Sequence, residues 1–556
     1  MSVPRPTMAV TQPQIRRAGN KSVLLDCGDL ESALYVLGAI VDAKAAGDIQ
    51  ADEFVSAAET VLIRGGDACR PELLGPKLRT ILDLHGSNNR QYEEVPEEVI
   101  PVDYSGPDLA EVAELTGLSI DEVIGRHTQA EYTVAFTGFA PGFAYLAGGD
   151  ESLVVPRRTT PRHRIEAGSV SLADNFTGIY PRESPGGWQV IGRTRIPMWD
   201  LDRTPPALLR PGGRVRFTVE KQSISVRNAE LADAAPQPTP PKGFEMLRVV
   251  ESGLQSLIED LGRPNLADLG VSVSGSADRS ALKNANRAVG NDANAPGVEL
   301  GLGTFSAQAL RTGVMAVCGA PRKGSVTGPL GTRQIPQGRA FRVDAGETIT
   351  LASPERGLRT VLALRGGIQA PRVLGSASRD TLAGMGPNPL AVGDVLFVGE
   401  EPSGAVGLPV DENVDNLPSG GTVTALRVVP GPRDLWFSEE GLHHFWQSRW
   451  EVSPRSDRVG VRLSGEPIAR DEEYAARELP SEGLANGAIQ VPSDGQPVLF
   501  LADRPLTGGY PVIGVVCEED LDLTAQLPPG AFVRFIPYVL ATDENSVCSS
   551  HEGELS

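Results

Sequence analysis

The sequence predicts a mainly β protein with α+β portions, built from two or three β-barrels and a small N-terminal α/β domain. Three observations lead to this prediction. The chain has 556 residues, more than one hydrophobic core can organise, so we expect three or four domains. It contains 62 glycines and 45 prolines, a content typical of many short strands joined by turns. Two blocks of sequence also recur in series, once in each half of the chain.

The repeated blocks are the most informative of the three observations. GGWQVIG at 186–192 returns as GGYPVIG at 508–514. DLDRTPPALLRPGGRVRF at 200–217 returns as DLDLTAQLPPGAFVRF at 520–535, in the same order and at similar spacing. In the closing VRF, valine and phenylalanine face inward and arginine faces outward. The repeat predicts two related barrels and indicates fold rather than chemistry; a weaker copy at 388–398 leaves a third barrel open.

Composition shifts along the chain suggest where the domains begin and end. The clearest boundary is the proline-rich run AELADAAPQPTPPKG, which reads as a linker between the two halves. Before the first barrel, strand-like and helical patterns favour a small α/β domain, and both chain ends are polar. The expected units are disordered residues 1–18, an α/β domain at 19–98, a barrel at 99–228, the linker at 229–243, a further β region at 244–420, a second barrel part at 421–540 and a disordered tail at 541–556.

Local patterns predict several single elements. A helix is expected from Asp108 to Leu115, and Ser119 followed by Glu122 predicts a capping box for a second short helix. The run SADRSALKNANRAVGN predicts a helix with Leu282 and several alanines facing inward. MLRVVESGLQSLIEDLGRPN reads as a β-hairpin.

Charge and cysteine usage exclude several classes of function. The net charge of -20 argues against nucleic-acid partners and anionic membrane surfaces. The five cysteines are far apart and form no CxxC pair, so neither a structural zinc site nor a disulfide framework is indicated. The chain begins without an apolar signal-like region and contains no apolar run of membrane-spanning length. We therefore expect a cytoplasmic protein.

Common catalytic motifs are absent from the sequence. There is no GxxxxGK[ST] P-loop, no G-x-S-x-G elbow and no H-E-x-x-H. The six histidines are not spaced like metal ligands, so no protein-held metal is predicted. An enzyme built from this sequence should work by arginine and carboxylate chemistry.

The stretch from Phe136 to Thr194 carries the first candidate site. It combines glycines, prolines, aromatics and a group of arginines that could clamp a carboxylate or phosphate. The alternative is that these arginines form salt bridges to Asp150, Glu151 or Glu183. We predict Arg158 as catalytic, and Arg157, Arg162 and Arg193 as substrate-binding residues.

Aromatic residues in the same stretch, and polar residues in the second half, complete the predicted site. The aromatics could line an apolar pocket wall or fill a barrel core. Asp260 and Asp503 could serve acid/base chemistry if they converge; exposed surface carboxylates are the alternative. The further predicted substrate-binding residues are Phe143, Tyr145, Tyr180, Trp188, Arg263, Asn286, Gln490, Thr507 and Tyr510.

Long motifs identify a resemblance to a known pair of domains. GFAPGFAYL, PRRTTPRHRIEAGSV and YPRESPGGWQVIGRT make residues 100–217 resemble allophanate hydrolase subunit 1. GLQSLIEDLGRPN, LRGGIQAPRVLGSASRD, SDRVGVRLSG, SEGLANGAIQVPSDGQPV and DRPLTGGYP make residues 246–540 resemble allophanate hydrolase subunit 2. The resemblance covers nearly the whole chain and implies cyclophilin-like β-barrels in a fusion of two subunits.

The resemblance also implies a function. Such domains occur as the B and C subunits of 5-oxoprolinase, which opens 5-oxoproline to glutamate with ATP and a separate A-type partner. This implies ATP with Mg²⁺ as cofactor, a small amide substrate and a LamB/YcsF-like A-type partner, and leaves homo-oligomerisation open. The alternatives are the carboxyltransferase-like part of a urea carboxylase, or a non-enzymatic module that regulates a kinase.

The sequence departs from the family's usual motifs at several positions of the second half. Thr and Gln are usual at the positions of Ser256 and Glu259, and Thr is usual at that of Arg379. DRPLTGGYP carries Pro505 and Leu506, where the usual form is DRQTTGGYP. These departures predict an altered site or a different substrate. No biotin-attachment Met-Lys-Met and no Ser-Ser-Lys amidase signature is present.

Overall fold

The computed structural model describes residues 12–87, 97–220, 242–410, 412, 414–475 and 477–538. Residues 229–241 of the predicted linker and the predicted tail at 541–556 lie outside the described residues. Within the segment expected to be disordered, residues 14–17 instead form a strand, because this strand pairs in register with the next one.

The N-terminal domain is a four-stranded sheet with two helices. Alternating or continuous buried residues place its strands against the helices, whose apolar faces complete one core. The sheet order is β1-β2-β4-β3. The elements are β1 (Gln14–Arg17), β2 (Ser22–Asp26), α1 (Leu30–Ala46), β3 (Glu53–Ser56), β4 (Thr60–Arg64) and α2 (Pro71–Ser87).

The first barrel is a seven-stranded sheet of order β12-β9-β10-β7-β6-β13-β5. The first and last strands along the chain, β5 and β13, pair in parallel. A bridge between Asp103 and Arg193 links the end of β5 to β12, so the sheet is nearly closed. The elements are β5 (Glu97–Val102), α3 (Leu109–Thr116), α4 (Ile120–Gln129), β6 (Tyr132–Thr137), β7 (Ala144–Ala147), β8 (Arg162–Ile165), β9 (Ser169–Ala173), β10 (Phe176–Ile179), β11 (Ser184–Gly186), β12 (Gln189–Arg193) and β13 (Arg214–Val219).

The middle region forms two sheets around one apolar core. Their strand orders are β20-β19-β22-β17-β14-β25-β24 and β15-β16-β23-β18-β21. The elements are β14 (Phe244–Ser252), β15 (Ser256–Glu259), α5 (Arg279–Val289), β16 (Gly297–Leu300), β17 (Phe305–Ala309), β18 (Gly313–Gly319), β19 (Gly324–Gly328), β20 (Gly331–Gln334), β21 (Phe341–Val343), β22 (Thr348–Leu351), β23 (Thr360–Leu364), β24 (Ile368–Gln369) and β25 (Val395–Val398).

The second barrel is closed, with the order β26-β33-β30-β31-β28-β27-β34. Its first and last strands again run parallel. The elements are β26 (Val423–Pro430), α6 (Glu439–Gln447), β27 (Trp450–Val452), β28 (Gly460–Ser464), β29 (Glu482–Gly483), β30 (Ala488–Gln490), β31 (Val498–Phe500), β32 (Thr507–Gly508), β33 (Val512–Val516), α7 (Leu521–Ala525) and β34 (Phe532–Pro537).

The two barrels have the same circular strand order, so the prediction of two related barrels is confirmed. Each strand from β5 to β13 has one counterpart from β26 to β34, including the small two-stranded sheets β8–β11 and β29–β32. The repeated GG-x-x-VIG block occupies β12 and β33, and the repeated VRF block occupies β13 and β34. In place of a third closed barrel, the described residues 242–410 hold the two middle sheets.

Local predictions agree with the structure in three cases and differ in one. Asp108 precedes α3, and Ser119 with Glu122 forms the expected capping box. Helix α5 buries Leu282 and the alanines. The hairpin prediction for MLRVVESGLQSLIEDLGRPN is wrong: β14 pairs with β17 and β25 in one sheet, whereas β15 pairs with β16 in the other. The alternation fixed the strands but not their partners.

The N-terminal domain packs against both barrels. Leu24, Val55 and Leu62 join an apolar cluster with residues of the second barrel, such as Leu484 and Val515. Ala58 and Leu30 extend the aromatic cluster of the first barrel. The N-terminal domain therefore helps to hold the two halves of the chain together. No helix in the described parts of the chain is long and apolar enough to span a membrane.

Candidate functional site

The loop after β6 brings the two halves of the chain together. The Thr137 hydroxyl donates to the carbonyl oxygen of Ala267 at 3.0 Å, and the Gly142 amide donates to that of Leu269 at 3.0 Å. A Cβ at Gly138 would lie 2.2 Å from the Thr507 hydroxyl oxygen, so glycine is required for this approach. The motif GFAPGF thus provides one of the contacts between the first half and the second.

Phe139 sits on this loop in a strained conformation. Its φ of 62° lies in the left-handed region that bulky residues avoid. Its ring contacts the rings of Phe143 and Tyr180 edge-on, with centroids 5.3 and 6.1 Å away. Strain of this kind persists only where the surroundings fix it, and it concentrates at functional sites.

A second segment, Leu374–Gly386, lies between the halves, and we call it the bridging segment. Asp260 accepts hydrogen bonds from the Ser376 and Ser378 hydroxyls, each at 2.6 Å, and from the Ala377 amide at 2.8 Å. Asp503 accepts from the Thr381 amide at 2.9 Å and the Thr381 hydroxyl at 2.6 Å. The two predicted carboxylates therefore converge on one segment, which they hold at positions a few residues apart.

Two arginines, one from each half, hold the same segment. Arg182 of the first half donates from Nη2 to the carbonyl oxygen of Leu382. Arg263 of the second half donates from Nη2 to that of Ser378. The Nε of Arg182, and the Nε and Nη1 of Arg263, are buried without a hydrogen-bond partner among the described residues. We call Phe139, Arg182, Arg263, Thr507 and the bridging segment the junction site.

A buried charge cluster lies beside the junction site, with Arg458 at its centre. The Arg458 guanidinium donates from Nε to Asp503 at 3.0 Å, donates from Nη1 to Glu299, and lies 3.5 Å from a Glu259 oxygen. It also donates to the carbonyl oxygen of Gly275 at 2.6 Å. All three carboxylates are almost fully buried, so one cation from the second barrel neutralises carboxylates of two domains.

Burial and charge set the protonation states in this cluster. Burial would lower the pKa of Arg458, but its three carboxylate neighbours raise it well above its ordinary value. Burial would raise the pKa of Asp503, yet the Arg458 charge lowers it. Burial raises the pKa of Glu259 well above its ordinary value, and neither of its oxygens has a hydrogen-bond partner among the described residues. The Arg458 charge therefore favours the ionised form of Asp503, whereas burial disfavours the ionised form of Glu259.

Two arginines of the predicted site in the first barrel form ion pairs with carboxylates of the chain. Asp108 is buried and accepts two hydrogen bonds from Arg162, both at 2.6 Å, and one from Arg158 at 2.8 Å. Arg158 also donates to Glu111 at 2.8 Å. Because carboxylates of the chain already neutralise both arginines, the ion-pair alternative is favoured for Arg158 and Arg162, and their roles in catalysis and substrate binding stay predictions.

Three further arginines of this stretch, Arg157, Arg164 and Arg193, are paired with carboxylates at the surface. Arg157 lies 3.5 Å from Asp174, and Arg193 lies 2.6 Å from Glu166. Arg164 pairs with Glu183, one of the three partners considered from the sequence. These contacts favour the salt-bridge alternative for Arg157 and Arg193, and substrate binding by these two residues stays a prediction. The sequence does not reveal carboxylates that approach from distant strands.

The predicted aromatic residues form a packed cluster. Phe143, Tyr145, Tyr180 and Trp188 are all buried, and Phe143 contacts the other three rings at centroid distances between 5.1 and 5.4 Å. This arrangement matches the barrel-core alternative. Their burial favours the core alternative, and Tyr180 contacts Phe139 of the junction site edge-on; a role in substrate binding stays a prediction.

The remaining predicted residues of the second half divide into two groups. Asn286 donates to the carbonyl oxygen of Ala295, and Gln490 to that of Tyr510, so both stabilise turns. Tyr510 is half exposed on its turn. Thr507 lies at the junction site, and its buried hydroxyl has no partner in the described residues.

Sequence reasoning missed Arg182, Arg458 and Asp380. A signal for Arg182 exists, because aligning YPRESPGG with DRPLTGG of the second half places Arg182 opposite Arg504. Arg458 lies in SDRVGVRLSG, and nothing in that motif shows that its guanidinium is buried among carboxylates. Asp380 lies in the bridging segment, and no local pattern distinguishes it from a surface aspartate.

Comparisons with known proteins agree with this two-part organisation. A family model for the carboxyltransferase domain, subdomain C and D, matches residues 13–209, and one for subdomain A and B matches residues 269–537. The C subunit of 5-oxoprolinase from Escherichia coli K12 is 35% identical over 294 residues, which cover 52% of this chain and 91% of that protein. The B subunit of 5-oxoprolinase from Escherichia coli O157:H7 is 48% identical over 128 residues, which cover 22% of this chain and 59% of that protein.

Two further comparisons extend the similarity. The urea amidolyase of Saccharomyces cerevisiae is 32% identical over 307 residues, which cover 52% of this chain but only 16% of that protein. The crystal structure of TTHA0988 matches with a TM-score of 0.78 and 32% identity, and covers 93% of this chain and 99% of that one. A solved protein of nearly the same extent therefore shares the arrangement of both halves.

Proposed function

Because the chain belongs to the carboxyltransferase-domain family, we propose that it is a fused B/C component of an ATP-dependent 5-oxoprolinase-type amidohydrolase. In this role the chain activates a small cyclic amide, and ring opening is completed with a separate A-type subunit.

One observation carries the proposal. A single chain contains one segment similar to the B subunit of 5-oxoprolinase and another similar to the C subunit. Residues of both segments form hydrogen bonds with the bridging segment. Arg182 does so from the B-like half, whereas Asp260, Arg263 and Asp503 do so from the C-like half. A site that both halves build explains why two polypeptides of the relatives would be joined in one chain.

Within this site we propose Asp260 and Asp503 as positioning residues. All their oxygens accept hydrogen bonds from the chain itself, so neither is free to take a proton from a substrate. Arg263 and Thr507 keep unpartnered N–H and O–H groups beside the bridging segment, and these groups are suited to contact a carbonyl or carboxylate oxygen.

ATP with Mg²⁺ is part of the proposal, and the described residues do not identify its place. They contain no group of three or more His, Cys, Asp or Glu side chains arranged for a metal ion. Mg²⁺ that arrives with a nucleotide needs no dedicated protein cage. We therefore assign no residues to the nucleotide and derive no step through it.

Turnover by the reconstituted system tests the proposal. The purified chain is mixed with an A-type subunit, 5-oxoproline and MgATP, and phosphate and glutamate are measured over time. We expect both products in equal amounts, and neither when the chain or the A-type subunit is left out. The proposal fails if no glutamate forms while the chain remains folded.

A matched pair of threonine variants links turnover to the junction site. Thr381→Val removes the hydroxyl that donates to Asp503, whereas Thr332→Val makes the same change on the exposed edge strand β20. We expect Thr381→Val to lower turnover about tenfold, because a misplaced bridging segment misaligns the reacting groups. Thr332→Val should have no effect; equal effects would separate turnover from this site.

A carboxyltransferase for urea or a related amide is the second candidate. It is favoured by the subdomain descriptions of both family models and by the urea amidolyase similarity. In that case a carrier that bears carboxybiotin, and not an A-type subunit, should support turnover. The carboxyl group would pass from the biotin nitrogen to a urea nitrogen, the biotin nitrogen would take up the displaced proton, and carboxylated urea would be the product. Product formation from urea together with inactivity on 5-oxoproline would establish this candidate.

A further inference from the structure

In the described parts of the chain, Arg182 and Arg263 lack the carboxylate partner that several deeply placed arginines have. Arg322 and Arg504 lack one there as well, but Arg322 donates to the Thr360 hydroxyl and to four carbonyl oxygens, and Arg504 stays within its own barrel. Arg458 and Arg433 each donate to carboxylates, and Arg359 lies 3.4 Å from Glu299. Among the described residues, neither Arg182 nor Arg263 has a carboxylate ion pair; each donates to one backbone carbonyl of the bridging segment. Two guanidinium groups are thus held by the same segment without a counterion in contact.

Asp380 does not form an ion pair that would neutralise Arg182 or Arg263. Its carboxylate influences both arginines electrostatically, but its oxygens accept from the Ala383 amide at 2.7 Å and the Ser272 hydroxyl at 3.1 Å. Arg379 adds a third positive charge to the same segment, and its Nη1 donates to the carbonyl oxygen of Gly386. Asp260 and Asp503 also contact this segment, so carboxylates offset the charge of Arg263 from a distance, while neither Arg182 nor Arg263 has a direct ion pair within the described residues.

Burial and missing partners indicate that the arrangement is incomplete. Arg263 is only 1% exposed, and two of its nitrogens have no hydrogen-bond acceptor among the described residues. The Nε of Arg182 also has no acceptor there. Burial lowers the pKa of both guanidinium groups, because the surrounding carboxylates compensate their charge only in part. A buried cation without acceptors is costly, so the geometry is expected to bind an acceptor that carries negative charge.

The internal repeat supports a special role for Arg182. Its counterpart Arg504 donates from Nε to the carbonyl oxygen of Leu484 in its own barrel. Arg182 instead reaches across to the other half, near the exposed Gly384. One of two equivalent arginines therefore stays within its barrel, while the other donates to a carbonyl oxygen of the bridging segment in the other half.

We propose that the junction site binds a small oxyanion between Arg182 and Arg263, and that this oxyanion is the carboxylate of the amide substrate. The identity of the ligand rests on the proposed function, whereas the oxyanion site rests on the two arginines. A phosphoryl group shares the chemistry, so the test separates the two sources.

Binding to the full chain alone, without ATP or partner, tests the site. Three probes are titrated calorimetrically: 5-oxoproline, 2-pyrrolidinone, which is the same ring without the carboxylate, and inorganic phosphate. We expect 5-oxoproline to bind and 2-pyrrolidinone to bind at least about tenfold more weakly, because hydrogen bonds to charged groups contribute most. Phosphate binding in place of 5-oxoproline binding would keep the oxyanion site and assign it to a phosphoryl group.

Variants locate the binding. Arg182→Ala should weaken 5-oxoproline about tenfold or more and leave 2-pyrrolidinone unchanged, and Arg182→Lys should recover part of the loss. Arg164→Ala, which removes an exposed arginine of the same stretch, is the matched control and should behave as the wild type. Thermal unfolding of each variant shows whether it is folded. Arg182 is chosen for replacement because it is only half-buried, whereas replacing the buried Arg263 would disturb the fold more.

Two outcomes would overturn the site: wild type that binds no oxyanion, or Arg182→Ala and Arg164→Ala that bind as the wild type does. Failure of the proposed function gives a different pattern. A chain that binds 5-oxoproline through Arg182 but forms no glutamate with an A-type subunit keeps the site and loses the proposed activity.

Discussion

The two barrels repeat one another down to single hydrogen bonds. In the first, the Gly106 amide donates to the Ile191 carbonyl oxygen at 3.2 Å; in the second, the Gly431 amide donates to that of Ile513 at 2.9 Å. Two residues later, Asp108 and Arg433 donate their amides to Val190 and Val512 in the same way. At both glycines a Cβ would collide with the neighbouring strand, so the backbone fixes these positions in both barrels.

The side chains at the repeated positions have opposite charges. Asp108 binds Arg162, which pairs with Gly186 across the small sheet; Arg433 binds Glu482, which pairs with the equivalent Gly508. The ion pair therefore keeps its place and reverses its polarity. Its surroundings account for the difference. Asp108 shares its charge with a second arginine of its own barrel, whereas Arg433 also binds Asp26 of the N-terminal domain at 2.9 Å.

The repeat therefore determines the backbone of each barrel. The charged side chains at repeated positions differ according to the domain that each barrel contacts. The loop between β6 and β7 makes its contacts through backbone groups and glycines, whereas the loop between β27 and β28 inserts Arg458 into the charge cluster. Four predictions test this difference, in order of decreasing expected effect.

Removal of the buried cation should have the largest effect. Arg458→Met leaves the buried Asp503 and Glu259 without an arginine partner and Glu299 with Arg359 alone, so we expect the free energy of unfolding to fall by about 5 kcal/mol. Arg462→Met, on the exposed face of β28, should change it by no more than about 0.5 kcal/mol. Denaturant unfolding measures both, and a similar small loss for the two variants would contradict the central role of Arg458.

The aromatic residue after the repeated glycine pair should contribute strongly to the free energy of unfolding only in the first barrel. Trp188 is 5% exposed and packs among the aromatic rings of its core, whereas Tyr510 is 48% exposed. Trp188→Ala should destabilise the protein by about 4 kcal/mol, and Tyr510→Ala by less than about 1 kcal/mol. Thermal or denaturant unfolding of the two variants gives the comparison; equal losses would show that the barrels are packed alike.

The reversed ion pair should be more costly to break in the second barrel. Arg433→Met leaves Glu482 buried and Asp26 without its cross-domain partner, so we expect a loss of about 3 kcal/mol. Arg162→Met should cost about 1 kcal/mol, since Asp108 retains Arg158 and the Val190 amide. Amide hydrogen exchange in β2 should accelerate only in Arg433→Met; unchanged exchange would contradict the role of Arg433 in holding the N-terminal domain.

Acid should destabilise the first barrel through His127. Burial lowers the pKa of this imidazole from 6.5 to about 3, and its Nδ1 lies 2.7 Å from the Tyr104 hydroxyl. Below about pH 6.5 only the unfolded imidazole takes up a proton, so stability falls as the pH drops towards 3. The corresponding helix of the second barrel, α6, carries its His443 at the surface.

Between about pH 7 and about pH 5 this proton uptake should cost the wild type about 2 kcal/mol relative to His127→Gln, which does not titrate. Denaturant unfolding at both pH values measures the difference, and His443→Gln is the surface control. If the wild type and His127→Gln lose the same stability on acidification, His127 is not the responsible group.

Much of the fold follows from local sequence, and less of the candidate site does. The capping box at Ser119, the inward face of α5 and the two barrels are all predictable, since each depends on residues close together or on a repeated block. The pairing of β14 is not, because alternation specifies a strand's faces and leaves its partner open. The convergence of Asp260 and Asp503 is only a conditional expectation from the sequence.

The role of the arginines shows the limit most clearly. PRRTTPRHR is the stretch that most suggests a ligand site, but its arginines meet carboxylates from other strands and loops. Arg182, shortly before a repeated block, has no distinctive local pattern, although its guanidinium donates to a carbonyl oxygen of the other half. Arginine types and spacing alone do not distinguish a paired cation from an available one.

By itself, the sequence determined the architecture: a glycine- and proline-rich chain, a repeated block in each half and periodic apolar residues are sufficient for two related barrels. These features act over a few residues or recur as copies, so they can be recognised without coordinates. Which charged side chains have an ion-pair partner, and which do not, follows only from the tertiary structure. Charge compensation depends on contacts between residues far apart in the chain, such as Asp108 with Arg158 and Asp26 with Arg433, and the fold alone brings them together.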